Sequence, residues 1–261
     1  RRHPSEWNSP ALEALAQKRP NFRVIFADSV KQWIVAADQI FNQVCKTRYV
    51  FGGRAKIPLV IRGQQGTGRG NAATHSQSLE SLFMHIPGLK VVCPSTPADA
   101  AGLLRTAIRD DNPVCFFEHK VLYATKGEVS DDPDFCIPFG KADIKREGTD
   151  VTIVANLLYV KRALEAADEL AKEGISAEVI DPRTLVPFDY DTVAESVKKT
   201  GRLVVVHEAH QNNGWGAQVV SQVSQMVFPY LDAAPVHIGA KACPLPFNLG
   251  LEQAVLPSVK D

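Results

Sequence analysis

The densest group of side chains with catalytic potential follows a glycine-rich stretch in the first half of the chain. Four glycines fall within residues 63–70, and His75, Ser76, Gln77 and Ser78 come shortly afterwards. Glycine lets a backbone take positive φ or approach a ligand closely. An imidazole near neutral pH can donate, accept or carry a proton. His75 is therefore the candidate for acid–base work or for steadying a developing charge.

The element before the glycines would position this group. The apolar run 57–61 is typical of a buried parallel strand, and the polar start of a helix follows near Ser76. In open α/β sheets, ligands bind at the carboxyl ends of such strands. Ser76 and Ser78 would also suit plain helix N-caps, so that structural role stays open beside the functional one. The sequence has no Gly-x-Ser-x-Gly elbow, which argues against a hydrolase.

The same stretch contains Gly68-x-Gly70-x-x-Ala73, a weak form of a dinucleotide-binding fingerprint. That fingerprint expects an acidic residue about 20 residues later, at the end of a second strand. Glu80 comes too early, and Asp99 belongs to a helix start. The sequence therefore disfavours a nicotinamide or flavin site.

Two further polar clusters each have two interpretations. The segment 110–113, Asp-Asp-Asn-Pro, ends a predicted helix. It fits a solvated turn or, through orphan carbonyls and an aspartate, a monovalent-cation site, and spacing alone favours the turn. His207, Glu208 and His210 end the most apolar strand of the second half, where a functional rim and a solvated strand end fit equally well.

Strands alternate with helices along both halves, which predicts an α/β fold of two domains with largely parallel sheets. The predicted strands are 22–27, 57–61, 89–93, 114–117, 151–155, 177–180 and 203–207. The predicted helices are 9–18, 32–49, 76–85, 96–109, 159–173, 190–199 and 217–230. The segment 126–139 is charged, contains two prolines and lacks periodicity. We therefore predict a first domain over 1–125, a linker over 126–139 and a second domain over 140–261.

Composition limits the classes of partner and compartment. The 261 residues carry a formal net charge of zero, which disfavours nucleic acid and anionic membranes as main partners. The apolar runs are too short to span a membrane, and the N-terminal residues do not resemble a signal peptide. Five scattered cysteines without a C-x-x-C pair disfavour structural zinc. They indicate a reducing compartment, either the cytoplasm or a mitochondrial or plastid matrix.

The stretch from Gly63 to Val92 resembles the beta subunits of thiamine-diphosphate-dependent 2-oxo acid dehydrogenases, a group that includes the pyruvate, branched-chain and acetoin enzymes. Its most specific parts are Thr74–Glu80, of sequence THSQSLE, and Pro87–Val92, of sequence PGLKVV. The resemblance covers about residues 32–257. Its further segments are 38–40, 48–49, 94–97, 107–110, 112–113, 117–118, 181–185, 201–208 and 254–257.

This resemblance implies a pyrimidine-binding domain followed by a transketolase-type C-terminal domain. It also implies an active site between subunits of an alpha2-beta2 heterotetramer. The alpha subunit would hold the cofactor diphosphate through magnesium, the beta subunit would receive the aminopyrimidine ring, and a lipoyl acyltransferase would take the acyl group. By resemblance, His75 is the active-site histidine. A potassium site, formed largely by backbone carbonyls, would lie at Leu59, Ala107, Ile108, Asp110 and Asn112.

The chain departs from the family before residue 32. An ungapped register places Glu6 on the glutamate that hydrogen-bonds N1′ of the aminopyrimidine, but the expected Gly/Ala-rich helix is not recognisable. A second register places residues 22–30 on the family's first strand and leaves the glutamate segment absent. Trp33 is the nearest candidate for the aromatic residue that packs on the cofactor ring. These departures predict a chain that is truncated, spliced or incomplete at this end.

The favoured function is therefore a beta subunit that decarboxylates a 2-oxo acid, of the pyruvate dehydrogenase type, together with its alpha subunit. One alternative is the beta subunit of an acetoin dehydrogenase. Another is a catalytically inactive scaffold that only completes the heterotetramer. The pocket residues that choose the substrate are expected partly on the alpha subunit, so this sequence leaves the three open.

Overall fold

A five-stranded sheet forms the centre of the first half of the chain. The computed structural model describes residues 21, 23–27 and 29–261 of the whole chain. Four strands are parallel, in the order β1-β2-β4-β3, and β8 joins β3 antiparallel. Their bounds are β1, Arg23–Ala27; β2, Leu59–Gln65; β3, Lys90–Val92; β4, Val114–His119; and β8, Thr184–Val186. The strand β8 comes from the second half, so the two halves share this sheet.

The helix predicted over 32–49 is interrupted in the structure. It divides into α1 (Lys31–Val35), a π-helical segment (Gln39–Val44) and α2 (Cys45–Val50). Ile40 and Cys45 are both buried and lie five residues apart. A π turn, with its i→i+5 hydrogen bonds, brings such a pair to the same side better than an α turn. Burial of both side chains accounts for the departure from regular helix.

The helix predicted over 76–85 is shorter than expected and follows a separate short helix. The two are α3 (Ala72–His75) and α4 (Glu80–Met84). Between them, the Leu79 amide donates to the side chain of Gln65 at 3.0 Å. The Gln77 carbonyl accepts from the Gly66 amide at 3.3 Å. Backbone groups that a continuous helix would have used are bonded to the end of β2 and to the glycine loop instead.

The prediction of a helix beginning at Thr96 is confirmed. Helix α5 (Pro97–Arg109) starts with proline, and the Thr96 hydroxyl accepts from the Asp99 amide at 3.1 Å. Its inner face packs on Val60 and Phe116 of the sheet. The segment predicted as a linker packs on the same helix, since Ile137 is buried against it. The division into 1–125, 126–139 and 140–261 stays a prediction.

The second half is built on its own five-stranded sheet, in the order β10-β9-β6-β7-β5. All pairs are parallel except β5 with β7. The strands are β5, Asp143–Arg146; β6, Val151–Ala155; β7, Ala177–Asp181; β9, Leu203–His210; and β10, Val236–Ala240. The helices are α6, Leu158–Lys172; α7, Tyr190–Thr200; α8, Trp215–Val227; and α9, Leu249–Val255. Short 3₁₀ turns lie at Leu122–Ala124 and Phe228–Tyr230.

The predicted α/β fold with two largely parallel sheets is confirmed. The elements that the sequence analysis missed are β5, β8, β10 and α9. The strands predicted over 22–27 and 203–207 and the helices over 159–173 and 190–199 are each present within a few residues. Within the described part of the chain, no helix is long and apolar enough to cross a membrane. The predicted helix 9–18 lies outside the described residues.

Candidate functional site

The glycine-rich stretch forms a tight loop at the carboxyl end of β2. Gly66, Gly68 and Gly70 have φ values of +92°, +88° and +59°, a region that residues with a Cβ rarely adopt. At Gly66 the space is also filled: an added Cβ would overlap the ring of His119 and lie 2.9 Å from a carboxylate oxygen of Glu208. Glycine is therefore required at this position by conformation and by packing.

Three consecutive amides of this loop each donate to a specific acceptor. The Gly66 amide donates to the Gln77 carbonyl at 3.3 Å. The Thr67 amide donates to Oε1 of Glu208 at 2.7 Å, and the Gly68 amide donates to Oε2 of Glu252 at 3.0 Å. Both glutamates belong to the second half of the chain, on β9 and α9. The conformation of a loop in the first domain is thus fixed by side chains of the second.

Glu208 is the centre of a buried hydrogen-bond network. The Thr67 hydroxyl donates to its Oε1, Nε2 of His119 lies 2.6 Å from its Oε2, and the Ser78 hydroxyl donates at 3.4 Å. The amide of Val121 donates to Nδ1 of His119 at 3.2 Å. Because Nδ1 acts as an acceptor, the neutral ring carries its proton on Nε2 and donates it to Glu208. The network therefore holds one negative charge among several donors.

The electrostatics of two buried carboxylates differ because their partners differ. Burial alone would raise the pKa of Glu208, but His119 and the hydrogen bonds from Thr67 hold this pKa below its ordinary value. Burial raises the pKa of Glu80, and its amide donors, Gln65 and Asn156, do not overcome that rise. Glu208 is thus a stable anion at neutral pH, while Glu80 is more easily protonated.

His75 ends α3 and lines a small polar pocket beside the glycine loop. The pocket has a volume of about 120 Å³ and is lined by Ser29, Gln64, Arg69, Asn71, His75 and Lys120. The His75 side chain is exposed, and its Nδ1 lies 3.0 Å from the Thr74 hydroxyl. Nζ of Lys120 donates to the backbone carbonyl of His75. The His75 side chain is therefore accessible at the carboxyl end of the sheet, while Lys120 fixes its backbone.

Arg69 and Lys120 connect the loop to the end of β4. Arg69 donates to the Lys120 carbonyl at 2.5 Å, although its side chain is exposed. Lys120 is only 4% exposed. The pocket thus offers an imidazole, two cationic side chains, amides and a hydroxyl. This set can bind a polar planar ring or an anionic group and can move a proton at its rim.

A second cavity lies on the other side of the end of β4. Its volume is about 280 Å³, and its walls are mainly apolar, with Pro94, Pro97 and Leu104 among the lining residues. Nε of Arg62 donates to Oε1 of Glu118 at 3.0 Å in its polar wall. The Tyr123 hydroxyl donates to the other oxygen of Glu118 at 2.7 Å. Arg62, Glu118 and Tyr123 thus pair with one another in this wall.

The predicted cation site maps to a compact turn. Oδ1 of Asp110 accepts from the amide and the side chain of Asn112 at 2.8 and 2.7 Å, and Lys90 forms an ion pair with Oδ2. Burial would raise the pKa of Asp110, but Lys90 and Asn112 hold it below its ordinary value. The Ile57 amide donates to the Asp111 carbonyl at 2.8 Å, which ties the turn to the start of β2 at Leu59.

The other residues of the predicted potassium site lie at the end of the helix that precedes this turn. Ala107 and Ile108 belong to the last turn of α5, and the Ala107 carbonyl accepts from the Asp110 amide at 3.3 Å. Across the described residues, no cluster of three or more His, Cys, Asp or Glu side chains could hold a metal ion. A potassium site formed by backbone carbonyls needs no such cluster. The potassium site stays a prediction.

Of the two residues predicted to contact the cofactor, only Trp33 lies in the described part of the chain. Trp33 is 2% exposed, and its ring packs against Phe83 and Phe117 at centroid separations of 5.3 and 4.8 Å. A Cβ at Gly63 would lie 2.8 Å from this ring. Its predicted contact with the cofactor stays a prediction. Glu6 lies outside the described residues.

Several residues of the site were not found by the sequence analysis. His119 and Lys120 follow the apolar residues 114–117 of β4 after Glu118, and this run of polar residues at a strand end could have found them. For Glu208 the sequence analysis left two interpretations open, a functional rim and a solvated strand end. The structure shows it turned inward, 7% exposed. Glu252 lies in an unpredicted helix, so nothing in the local pattern marked it.

Comparisons with known proteins agree with this architecture. Residues 14–126 match the pyrimidine-binding domain of transketolase, and residues 140–261 match the transketolase C-terminal domain. The acetoin:2,6-dichlorophenolindophenol oxidoreductase beta subunit of Cupriavidus necator is 52% identical over 240 residues, which cover 92% of this chain and 70% of that protein. The pyruvate dehydrogenase E1 component beta subunit of Rickettsia felis is 48% identical, with 87% and 69% covered. This chain belongs to the family of these beta subunits.

Membership in the family shows the general class of the protein. These beta subunits are parts of oxidoreductases of the 2-oxo acid dehydrogenase type, which act together with an alpha subunit. The transketolase-like domains are those of thiamine-diphosphate enzymes. Among solved structures, the inactive beta4 tetramer of a split-gene transketolase has a TM-score of 0.72 and 25% identity. The match covers 95% of this chain and 76% of that one.

Proposed function

We propose that this chain is the beta subunit of a pyruvate-type, thiamine-diphosphate-dependent 2-oxo acid dehydrogenase. It would act in an alpha2-beta2 heterotetramer and pass the acyl group to a lipoyl acyltransferase. The observation that carries the proposal is the placement of His75, exposed at a polar pocket beside a glycine loop, at the carboxyl end of a parallel sheet. That edge is where α/β sheets bind ligands.

The residues at this pocket fit the aminopyrimidine part of the cofactor. Its lining of hydroxyl, amide and imidazole groups suits a planar ring with several nitrogen atoms. The positive φ values of Gly66, Gly68 and Gly70 let the loop turn sharply beside this pocket. When bound, thiamine diphosphate would supply the electron sink for decarboxylation. The protein would supply binding, orientation and exclusion of water.

Two residues would handle protons. His75, steadied by the Thr74 hydroxyl, would orient the oxo or lipoyl group and take or return a proton there. Glu6, in the ungapped register, would accept a hydrogen bond at N1′ of the aminopyrimidine. The second register has the support of β1, because Arg23–Ala27 runs parallel to β2 where that register expects the first strand. Trp33 would then support the pocket from the core.

The remaining ligands follow the family pattern. Magnesium and the diphosphate would be held by the alpha subunit. Potassium would bind at the turn formed by Ala107, Ile108, Asp110 and Asn112 beside Leu59, where it would brace the end of α5 against β2. The hydrogen bond from Ile57 to Asp111, which already joins these two elements, supports this placement.

The location proposed for the protein is the cytoplasm or an organelle matrix. Its cysteines are free thiols, and Cys45, Cys93 and Cys115 are buried. Burial raises the pKa of Cys93, so this thiol is kept protonated and unreactive. Buried thiols of this kind suit a reducing compartment.

Two alternatives each have a specific observation in their favour. The 52% identity with the Cupriavidus necator protein favours acetoin as the substrate. The second alternative is an inactive scaffold, and its support is the likeness in fold to the split-gene transketolase tetramer, which is itself inactive.

Reconstitution with a matching alpha subunit tests the proposal. The complex, supplied with thiamine diphosphate and magnesium, should release carbon dioxide from pyruvate, while either subunit alone should not. Reduction of dichlorophenolindophenol with acetoin but not with pyruvate would favour the acetoin enzyme. A well-assembled complex without turnover of either substrate would favour the scaffold.

A further inference from the structure

The contact between the domains at the glycine loop includes two buried glutamate side chains. Glu208 and Glu252 reach from the second domain and accept from the Thr67 and Gly68 amides. Both side chains are buried, at 7% and 1% exposure. Burying a charge costs free energy unless donors surround it. The loop donates to Oε1 of Glu208 and to Oε2 of Glu252, so its conformation and the burial of these two side chains depend on each other.

Glu208 also selects one state of His119. Its Oε2 lies 2.6 Å from Nε2 of that ring, while the Val121 amide occupies Nδ1. Each oxygen of Glu208 thus faces only donors. A glutamine at this position would turn an amide group toward either His119 or Thr67. In both orientations two donors would meet, and one would lose its partner.

We propose that Glu208 and His119 are positioning residues, through which the second domain fixes the glycine loop and the pocket that holds His75. This inference rests on the proposed function. The loop fixed by Glu208 carries Arg69 and leads into α3, which ends at His75. The same carboxylate holds Ser78 on the far side of His75. His75 is thus held between two segments that Glu208 anchors.

The test compares three variants in the complete complex with the alpha subunit. Glu208→Gln should accelerate hydrogen exchange of the Thr67 amide at least tenfold and lower kcat at least tenfold, with a smaller change in KM. Glu178→Gln is the matched control. Glu178 is also a buried carboxylate that accepts a backbone amide, from Gly148 at 3.2 Å, but it lies on β7 away from the loop. This control should leave Thr67 exchange and kcat unchanged.

The third variant places the hydrogen-bond donor at residue 208 and the acceptor at residue 119. In Glu208→Gln combined with His119→Glu, the amide nitrogen of residue 208 again faces an acceptor, and the network keeps one negative charge. This double variant should regain most of the lost exchange protection and kcat.

Parent-like exchange at Thr67 in Glu208→Gln would overturn the proposal, as would a fall in kcat no larger than that of Glu178→Gln. If Glu208→Gln does not assemble, Thr67→Val decides, because it removes only the hydroxyl donor at the loop. A parent kcat in Thr67→Val would then overturn the proposal. Failure of the proposed function is distinct: the parent complex would not turn over, while the exchange comparison would still report on positioning.

Discussion

The carboxylate of Glu208 lies 2.6 Å from Nε2 of His119, although the two residues are 89 positions apart and belong to different domains. Between them sits Gly66, whose missing side chain makes room for the contact. The candidate site is therefore completed by the packing of one domain on the other. Its geometry depends on the correct docking of the second domain.

The first prediction concerns Gly66. Gly66→Ala should lower kcat at least tenfold and destabilise the chain, because it adds a clash with His119 to the strain of positive φ. Backbone strain of this kind costs on the order of 1–3 kcal/mol. Gly174→Ala is the matched control, since Gly174 has a φ of +81° with nothing within 4 Å of an added Cβ. Equal effects of the two substitutions on urea unfolding and kcat would show that the clash is unimportant.

The second prediction concerns the turn at Asp110. If it binds potassium, the melting temperature should rise when potassium replaces a large organic cation at equal ionic strength. A ligand bound only by the folded state stabilises it, by about 2.7 kcal/mol at a concentration of 100 Kd. A melting temperature that stays constant over a wide range of potassium concentration would remove this site.

The third prediction concerns the pH dependence of stability through His207. This ring is buried beside His237 and Trp215, and its Nδ1 donates to the Ala209 carbonyl at 3.0 Å. Burial, aided by His237, lowers the pKa of His207 to about 3 from an ordinary value of 6.5. Between about pH 3 and pH 6.5, His207 therefore binds a proton in the unfolded chain but not in the folded chain. The free energy of unfolding should fall by about 1.4 kcal/mol for each pH unit below 6.5, until about pH 3.

Asp181 acts in the opposite direction and serves as the control. Burial, with Asp99 nearby, raises the pKa of Asp181 to about 6 from 3.8, in spite of Lys145. This group therefore stabilises the fold as pH falls from about 6 toward 3.8. Urea unfolding at several pH values should show a steeper acid loss in Asp181→Asn and a shallower one in His207→Gln. Identical slopes in the parent and both variants would refute these assignments.

The fourth prediction concerns Glu6. A carboxylate hydrogen-bonded to the cofactor should affect the chemical step more than binding. If the ungapped register holds, Glu6→Gln, in complex with the alpha subunit, should bind the cofactor and exchange its C2 proton more slowly by roughly one to two decades, for a contact of about 1.5–3 kcal/mol. Exchange at the parent rate would show that the ungapped register is wrong. The chain would then lack its activating glutamate.

Local patterns in the sequence predicted the regular parts of the fold. The apolar run of β6 and the Thr96 cap of α5 depend on neighbours in the chain, so their signals are local. The strand β8 could not be predicted, because its three residues form a strand only by pairing with β3. The π-helical segment likewise reflects the need to bury Ile40 and Cys45 on one side.

The same limit applies to the site. His75 was found because a glycine loop and a strand end mark it locally. The position of Glu208 was identified, but its role was not, because the amide that it accepts from belongs to Thr67, 141 residues earlier. Only the packing of the two domains brings them together. Distant hydrogen bonds of this kind leave no periodic signal in the sequence.

We propose that His75 serves the reaction after the cofactor has been activated. The most direct measurement is the rate at which the complex containing His75→Ala acylates a lipoyl group, taken together with exchange of the cofactor C2 proton. We expect exchange near the parent rate and acylation reduced at least tenfold. Acylation at the parent rate, or a loss of exchange equal to the loss of acylation, would contradict the account.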